Sequence, residues 1–269
     1  MDKLAIKKNL IFKKNEDQDQ AFRILNQQGK VAILFLCDHA SRRIPETYQN
    51  LGLSDECLQR HIAWDIGAAA LTERLSAAFD APAVLASFSR LLIDPNRAPE
   101  CPTLIPEASD GITIPGNKHI SAAERQYRID QYYQPFHDAC AGLIQAFHQK
   151  GVVPLVIGMH SFTPIMNNKA RPWHAGLLWD KDPRLAEALI SGLGTRPGLV
   201  VGDNEPYTGR SLFHTMQVHG AAHGFPQVTI EIRQDELESI EGLARWADIL
   251  EDELQRILKI PEMQQIIHY

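Results

Sequence analysis

Four short stretches end apolar runs with groups able to do chemistry. Cys37-Asp38-His39 closes the run from Lys30, Asp94-Pro95-Asn96-Arg97 follows Leu91, His160-Ser161 closes the run from Val152, and Glu231-Ile232-Arg233 closes the run from Phe225. Imidazole nitrogens and carboxylate oxygens are natural zinc ligands, and a catalytic zinc keeps one position open for water. Such a cation makes its water acidic enough to supply hydroxide near neutral pH. A neighbouring carboxylate can accept that proton and pass it to a leaving amine. One arginine can steady a developing oxyanion and a second can hold a substrate carboxylate. Each group also has a plainer reading. Asp94, Pro95 and Asn96 are good turn formers, a lone histidine after a strand is often a hydrogen-bonded structural residue, and Glu231, alternating with Ile230 and Ile232, could face solvent.

The elements that must position these groups are legible from periodicity. Short apolar runs at Lys30–Cys37, Ala83–Ser89 with Leu91–Asp94, Val152–Ser161, Ala175–Trp179, Gly198–Gly202 and Phe225–Arg233 read as strands. Helical spacing marks Leu58–Phe79, Ser121–Lys150, Asp182–Leu193 and Asp235–Lys259, the second opening with a Ser-x-x-Glu capping box and carrying a kink-forming Pro135. Strands alternating with helices predict a three-layer α/β fold, a mixed, mostly parallel sheet with helices on both faces. In such open sheets ligands bind beyond the carboxyl ends of the strands. The segment 95–117, rich in Pro, Gly and Asn, reads as a loop inserted over the site.

With 269 residues the chain suits one domain, here 21–269, and the charged, unpatterned residues 1–20 read as a surface lead-in rather than a secretory signal. The net charge of −6 and the lack of a basic stripe predict no nucleic-acid partner. The absence of a long apolar run predicts no membrane span. Cys37, Cys57, Cys101 and Cys140 form no CxxC pair, which points to a reducing cytoplasm. Two rival functions stay open. Cys37 and His39, two apart on a strand, could pair in a cysteine hydrolase. A binding protein for amino acids would keep Arg97 and could do without Glu231. His61, His137, His174 and His214 carry no assignment, and oligomeric state is not legible.

From Val31 to the terminal helix the chain resembles the N-formylglutamate amidohydrolase family, through Cys37–Pro45, Ala63–Ala68, Ser89–Arg97, Ile114–Asn117, Tyr133–His137, Met159–Pro164, Asn204–Gly209 and Val228–Asp235 in that order. Through Met159–Phe162, Thr229–Arg233 and Asp94–Arg97 it is similar in turn to zinc carboxypeptidases and the succinylglutamate desuccinylase and aspartoacylase group. The resemblance implies a zinc-exopeptidase-like (phosphorylase/hydrolase-like) fold and metal-dependent hydrolysis of a small N-acyl amino acid, N-formyl-L-glutamate first. It implies Zn²⁺, or another divalent metal, on His39, Asp65 and His160, with Ser161 shaping the turn that presents His160. Glu231 is the implied base and Arg90 the oxyanion partner. Asn96 and Arg97 would hold the α-carboxylate, Arg171 or Arg233 the side-chain carboxylate, and Tyr207 and Gly209 would line the pocket. One departure matters: the carboxypeptidase pattern has a Glu ligand three residues after the first His, and here that position is Arg42. Asp65 is the first replacement, Glu46 the second and Asp38 the third, and Asp65 could instead orient a ligating histidine.

Overall fold

The computed structural model describes residues 20–166, 168–210 and 213–269; the lead-in 1–19 lies outside them. Seven strands form the central sheet: β1 (Phe22–Leu25), β2 (Ile33–Cys37), β3 (Ala83–Ala86), β6 (Leu155–Phe162), β9 (Ala175–Leu178), β10 (Val201–Asp203) and β11 (Gln227–Arg233). Their order across the sheet is β1-β3-β2-β6-β11-β9-β10. β3, β2, β6 and β11 run parallel, β1 pairs antiparallel with β3, and β9 antiparallel with β11. The remaining strands form two small hairpins, β4 (Ala108–Ser109) with β5 (Ile112–Thr113) and β7 (Ile165–Met166) with β8 (Lys169–Ala170).

The helices are α1 (Asp55–Gln59), α2 (Ala68–Phe79), α3 (Ala122–Arg128), α4 (Gln134–Gln149), α5 (Arg184–Gly194), α6 (His214–His219) and α7 (Ile240–Ile257). Two cores sandwich the sheet, because successive strand side chains point to opposite faces. Ile33, Phe35, Ile157, Val228 and Ile230 pack with Leu71 of α2, Leu189 of α5 and Trp246 of α7. Leu34, Leu36 and Val156 pack with Phe136 and Cys140 of α4 and Met216 of α6. Both faces are therefore covered, as the parallel runs of β-branched residues require. Glu231 cannot reach open solvent from either face and is buried.

Three boundaries differ from the periodicity. The helix predicted over Leu58–Phe79 is interrupted: α1 ends at Gln59 and α2 begins at Ala68, after Gly67 at φ +83°. A side chain at Gly67 would strike Leu237, so only glycine fits. The gap is held by the Asp65 amide, which donates to the His39 carbonyl at 3.0 Å. Leu91–Asp94 is a turn rather than a strand, because the Ser89 carbonyl is taken by the Leu92 amide. The loop 95–117 contains the β4–β5 hairpin, closed by Asp110-Gly111 with both residues at positive φ. The kink expected at Pro135 is present as a widened turn over Ile129–Tyr133 between α3 and α4. None of the described helices is long and apolar enough to cross a membrane.

Candidate active site

The carboxyl ends of β2, β6 and β11 converge where the crossover loops meet. β6 and β11 are in parallel register with Glu231 opposite His160, so both side chains leave the sheet on the α4–α6 face. His39 follows β2, and Asp65 is brought beside it by the interrupted helix. The two imidazoles meet edge to face with centroids 4.9 Å apart. A cavity of about 210 Å³ opens onto His39, Asp65, Arg90, His160 and Glu231.

Carboxylates set the orientation of both rings. His39 Nε2 lies 2.7 Å from Asp94 Oδ1, and Arg90 Nη1 lies 3.1 Å from His39 Nδ1. The arginine can only donate, so Nδ1 carries the lone pair and Nε2–H points to Asp94. His160 Nδ1 lies 2.8 Å from Asp65 Oδ2, and its Nε2 lies 3.2 Å from Asp38 Oδ1. Burial opposes charge on this ring, but Asp38, Asp65 and Glu231 outweigh it and raise His160 to about 10. Asp38 Oδ2 is anchored by the Thr215 hydroxyl at 2.6 Å, while Oδ1 makes no hydrogen bond among the described residues.

Four carboxylates, Asp38, Asp65, Asp94 and Glu231, share the cluster with the two imidazoles and Arg90, which bonds Asp94 at 2.9 Å and lies 3.6 Å from Asp65, while Arg97 approaches Asp94 at 4.0 Å. Burial would raise the Asp94 carboxyl, but Arg90 and His39 outweigh it and hold it well below its ordinary value. Glu231 behaves oppositely. Burial lifts its carboxyl to about 7 despite the opposing pull of His160, and its Oε2 has no hydrogen-bond partner among the described residues. A buried carboxylate near neutrality and aimed into a cavity is suited to proton transfer.

These residues fit a divalent cation. One ligand atom from each of Asp38, His39 and His160 lies within 4.8 Å of the others. Asp65 Oδ2 is equally at hand, 3.5 Å from His39 Nδ1 as well as 2.8 Å from His160 Nδ1. Glu46, the second replacement ligand, begins a turn outside this cavity.

A model of the N-formylglutamate amidohydrolase family matches residues 31–237. The chain belongs to the N-formylglutamate amidohydrolase family. The gene product Atu2144 from Agrobacterium tumefaciens is 37% identical, with a TM-score of 0.87 over 91% of this chain and 97% of that one. The N-formylglutamate amidohydrolase from Ralstonia eutropha JMP134, at 21% identity, shares the fold with a TM-score of 0.63 over 89% of this chain and 97% of that one. No curated protein matches the chain.

Within this amidohydrolase frame, the sequence candidates divide. His39, Asp65, Arg90, Asn96, Arg97, His160, Ser161, Tyr207 and Glu231 all line the cavity. Asn96 is held by its amide on Asp94 Oδ1 and by its Oδ1 on the Thr215 amide, and Arg97 donates to the Asn96 carbonyl. Ser161 does not shape a turn: β6 runs on to Phe162, and the hydroxyl donates to the Ile66 carbonyl, tying β6 to the segment carrying Asp65. Arg171 lies behind Tyr207, bonding its hydroxyl at 3.0 Å and stacking on its ring. Arg233 is turned away: it binds Asp235 and the carbonyls of Arg171, Pro172 and Trp173, and is not among the cavity residues. Gly209 lines a different cavity, close against the Trp179 backbone. Cys37 is sealed in the core, and burial raises its thiol well above the ordinary value, so it is not the nucleophile of a cysteine hydrolase.

Sequence reasoning left out His61, Ser109 and Asp110, which also line the cavity. Asp110 at the hairpin tip bonds Arg60 at 3.0 Å and approaches His61 at 3.6 Å. The Asp-Gly pair was a legible hairpin signal, but its landing point is set by tertiary packing.

Proposed function

We propose that the protein hydrolyses the amide of small N-acyl amino acids with a bound divalent cation, zinc first, and N-formyl-L-glutamate is the reference substrate that the family name supplies. The observation that carries this reading is Glu231: buried, lifted towards neutrality, unpartnered at Oε2, and level with His160 on the adjoining strand.

We assign the cation to His39 Nδ1, Asp65 and His160. A catalytic cation must keep one position open to substrate, and these three line the cavity with Glu231, whereas Asp38 does not. Asp94 then takes the far nitrogen of His39 and holds that ring in place, and Asp38 sets a negative charge 3.2 Å from the far nitrogen of His160. The cation would acidify water and polarise the acyl carbonyl. Glu231 takes the proton of the attacking water, Arg90 faces the oxyanion that forms, and Glu231 returns the proton to the departing nitrogen. The C–N bond breaks to give the carboxylic acid, formate for a formyl group, and the free amino acid. Arg97 and Asn96 hold the α-carboxylate, and Tyr207, fixed by Arg171, closes the other wall.

The test is hydrolysis of N-formyl amino acids by protein stripped with a chelator and reloaded with zinc or cobalt, with formate and amine both measured. Loss and restoration of turnover are expected. Equal turnover in stripped protein ends the metal assignment, and no turnover with any metal ends the hydrolase reading.

A further inference from the structure

A second cavity, about 510 Å³, adjoins the first, and Asn96 and Arg97 line both. We propose that this cavity is the subsite for the substrate's amino-acid side chain, and that the preferred substrates are N-formyl amino acids with large aromatic side chains carrying a hydrogen-bond donor. The inference rests on the hydrolase reading above and names the substrate class within it.

The catalytic cavity alone offers a poor place for a side-chain carboxylate. Arg90 is committed to Asp94, and Arg171 is spent on Tyr207 and the Thr163 carbonyl. Arg233 faces elsewhere. The hairpin wall adds Ser109 and Asp110, the latter paired with Arg60, and neither is cationic. That leaves Arg97 for one carboxylate, the one every amino acid has.

Arg97 lies at the boundary between the two spaces. Its Nη1 donates to the Asn96 carbonyl and approaches Asp94, while its Nε donates to Thr103 beside Cys101, which lines the larger cavity. The Cα of a substrate whose α-carboxylate is held here sits at the junction. Its amide nitrogen faces Glu231 and its side chain has the larger cavity to enter. The walls there suit an aromatic group: Phe213 and Phe225 are buried and Tyr269 closes the edge. Gln227, on the same face of β11 as Glu231, also lines it, and its Oε1 is buried without a hydrogen-bond partner among the described residues. An unmet buried acceptor is destabilising, and a ligand N–H or O–H would relieve it. Charges at the mouth are mixed: Lys181 and Arg210 are exposed, and Asp180 stands 3.9 Å from Arg210.

The experiment compares kcat/KM of the zinc-loaded protein for N-formyl-tryptophan, N-formyl-tyrosine, N-formyl-glutamate and N-formyl-alanine. The same set is run with Ala222→Trp, which fills the cavity from its exposed rim without touching the catalytic groups. Wild type is expected to favour the aromatic substrates over N-formyl-alanine by at least tenfold. Ala222→Trp is expected to erase that preference while leaving N-formyl-alanine unchanged, which also reports that the variant is folded. A preference for N-formyl-glutamate, or a variant whose selectivity matches wild type, overturns the subsite. If no substrate is turned over, the hydrolase reading fails, and titration calorimetry decides the subsite separately. N-formyl-tryptophan binding weakened tenfold or more by Ala222→Trp sustains it, and absent or unaltered binding overturns it.

Discussion

Asp94 and Arg90 grip opposite nitrogens of His39: the carboxylate takes Nε2 at 2.7 Å and the guanidinium meets Nδ1 at 3.1 Å, while the two also bond each other at 2.9 Å. This triangle fixes the tautomer that a cation needs. Asp94→Asn keeps the shape but removes the charge, and its amide can present N–H where Nε2–H now points. Metal affinity and kcat are each expected to fall about 10–100-fold. Competition with a chromophoric chelator measures the first and steady-state kinetics the second. An unchanged metal affinity would show that Asp94 does not orient a ligand.

Glu231 tests the chemistry with the fold held constant. Glu231→Gln removes the proton acceptor and should lower kcat by about 10²–10⁴-fold. The carboxyl is lifted from its ordinary value to about 7 in the native protein, so its contribution to stability is complete at low pH and is lost as pH rises through that value. The variant escapes this loss. Metal-free Glu231→Gln is therefore expected to melt above wild type at pH 8, by up to about 3 kcal/mol of stability, and to match it near pH 4. A variant less stable at both pH values would mean that the carboxylate has a structural partner.

Asp65 and Asp38 compete for one role, and they can be separated. With Asp65 as ligand, Asp65→Asn should leave the protein without stoichiometric metal after dialysis. Asp38→Asn should retain one equivalent with affinity weakened about 10–100-fold, since Asp38 is held by Thr215 and comes nearest to His160 at Nε2, 3.2 Å away, and to His39 Nδ1 only at 3.7 Å. The reverse pattern would move the cation behind His160, away from Glu231.

Arg97 is read as a carboxylate clamp that grips ground state and transition state alike. Arg97→Ala should then raise KM about 10–100-fold with little change in kcat. A collapse of kcat with unchanged KM would instead assign Arg97 to the oxyanion.

What the sequence made legible was the set of strand ends. Short apolar runs placed His160 and Glu231 at strand ends, and the sheet makes those strands neighbours in parallel register, with the two residues opposite each other. Asp65 was the first candidate for the acidic ligand, because Arg42 stands where the resemblance calls for a glutamate, and the structure brings its carboxylate beside both imidazoles. The placing of Asp38 and Asp65 at opposite nitrogens of the His160 ring was not legible, since only the folded geometry sets it. Arg233 misled for the opposite reason. It adjoins Glu231 by only two residues, but β11 ends there and the side chain turns to the carbonyls of Arg171–Trp173. The break between α1 and α2 was masked by strong helix formers on both sides, and only the fold shows why position 67 is glycine: its φ is positive and a side chain there would strike Leu237.

His137, left unassigned by sequence, and His219 form a buried pair whose protonation is tied to stability. His137 Nε2 lies 3.0 Å from the Pro95 carbonyl, which can only accept, so it carries the proton; Nδ1 then accepts from His219 Nε2 at 2.8 Å. Both rings are neutral and buried. Burial, then His214, lowers His137 to about 4, and burial, then His137, lowers His219 to about 3. The unfolded chain binds protons on both near pH 6.5, so the unfolded state holds more protons below that pH and stability falls as acid is added. The loss should begin near pH 6.5, reach about 3 kcal/mol from His137 alone by pH 4, and precede the loss from Asp94, whose lowered pKa matters only below the ordinary carboxylate range. His219→Gln retains an N–H for His137 and removes one of the two titrations. Urea unfolding at intervals from pH 7.5 to 4.5 should therefore give a shallower slope for His219→Gln than for wild type. Parallel slopes would mean that the pair takes up protons in the native state, and that His137 does not hold the Pro95 carbonyl, and with it the Asn96-Arg97 clamp, as a neutral donor.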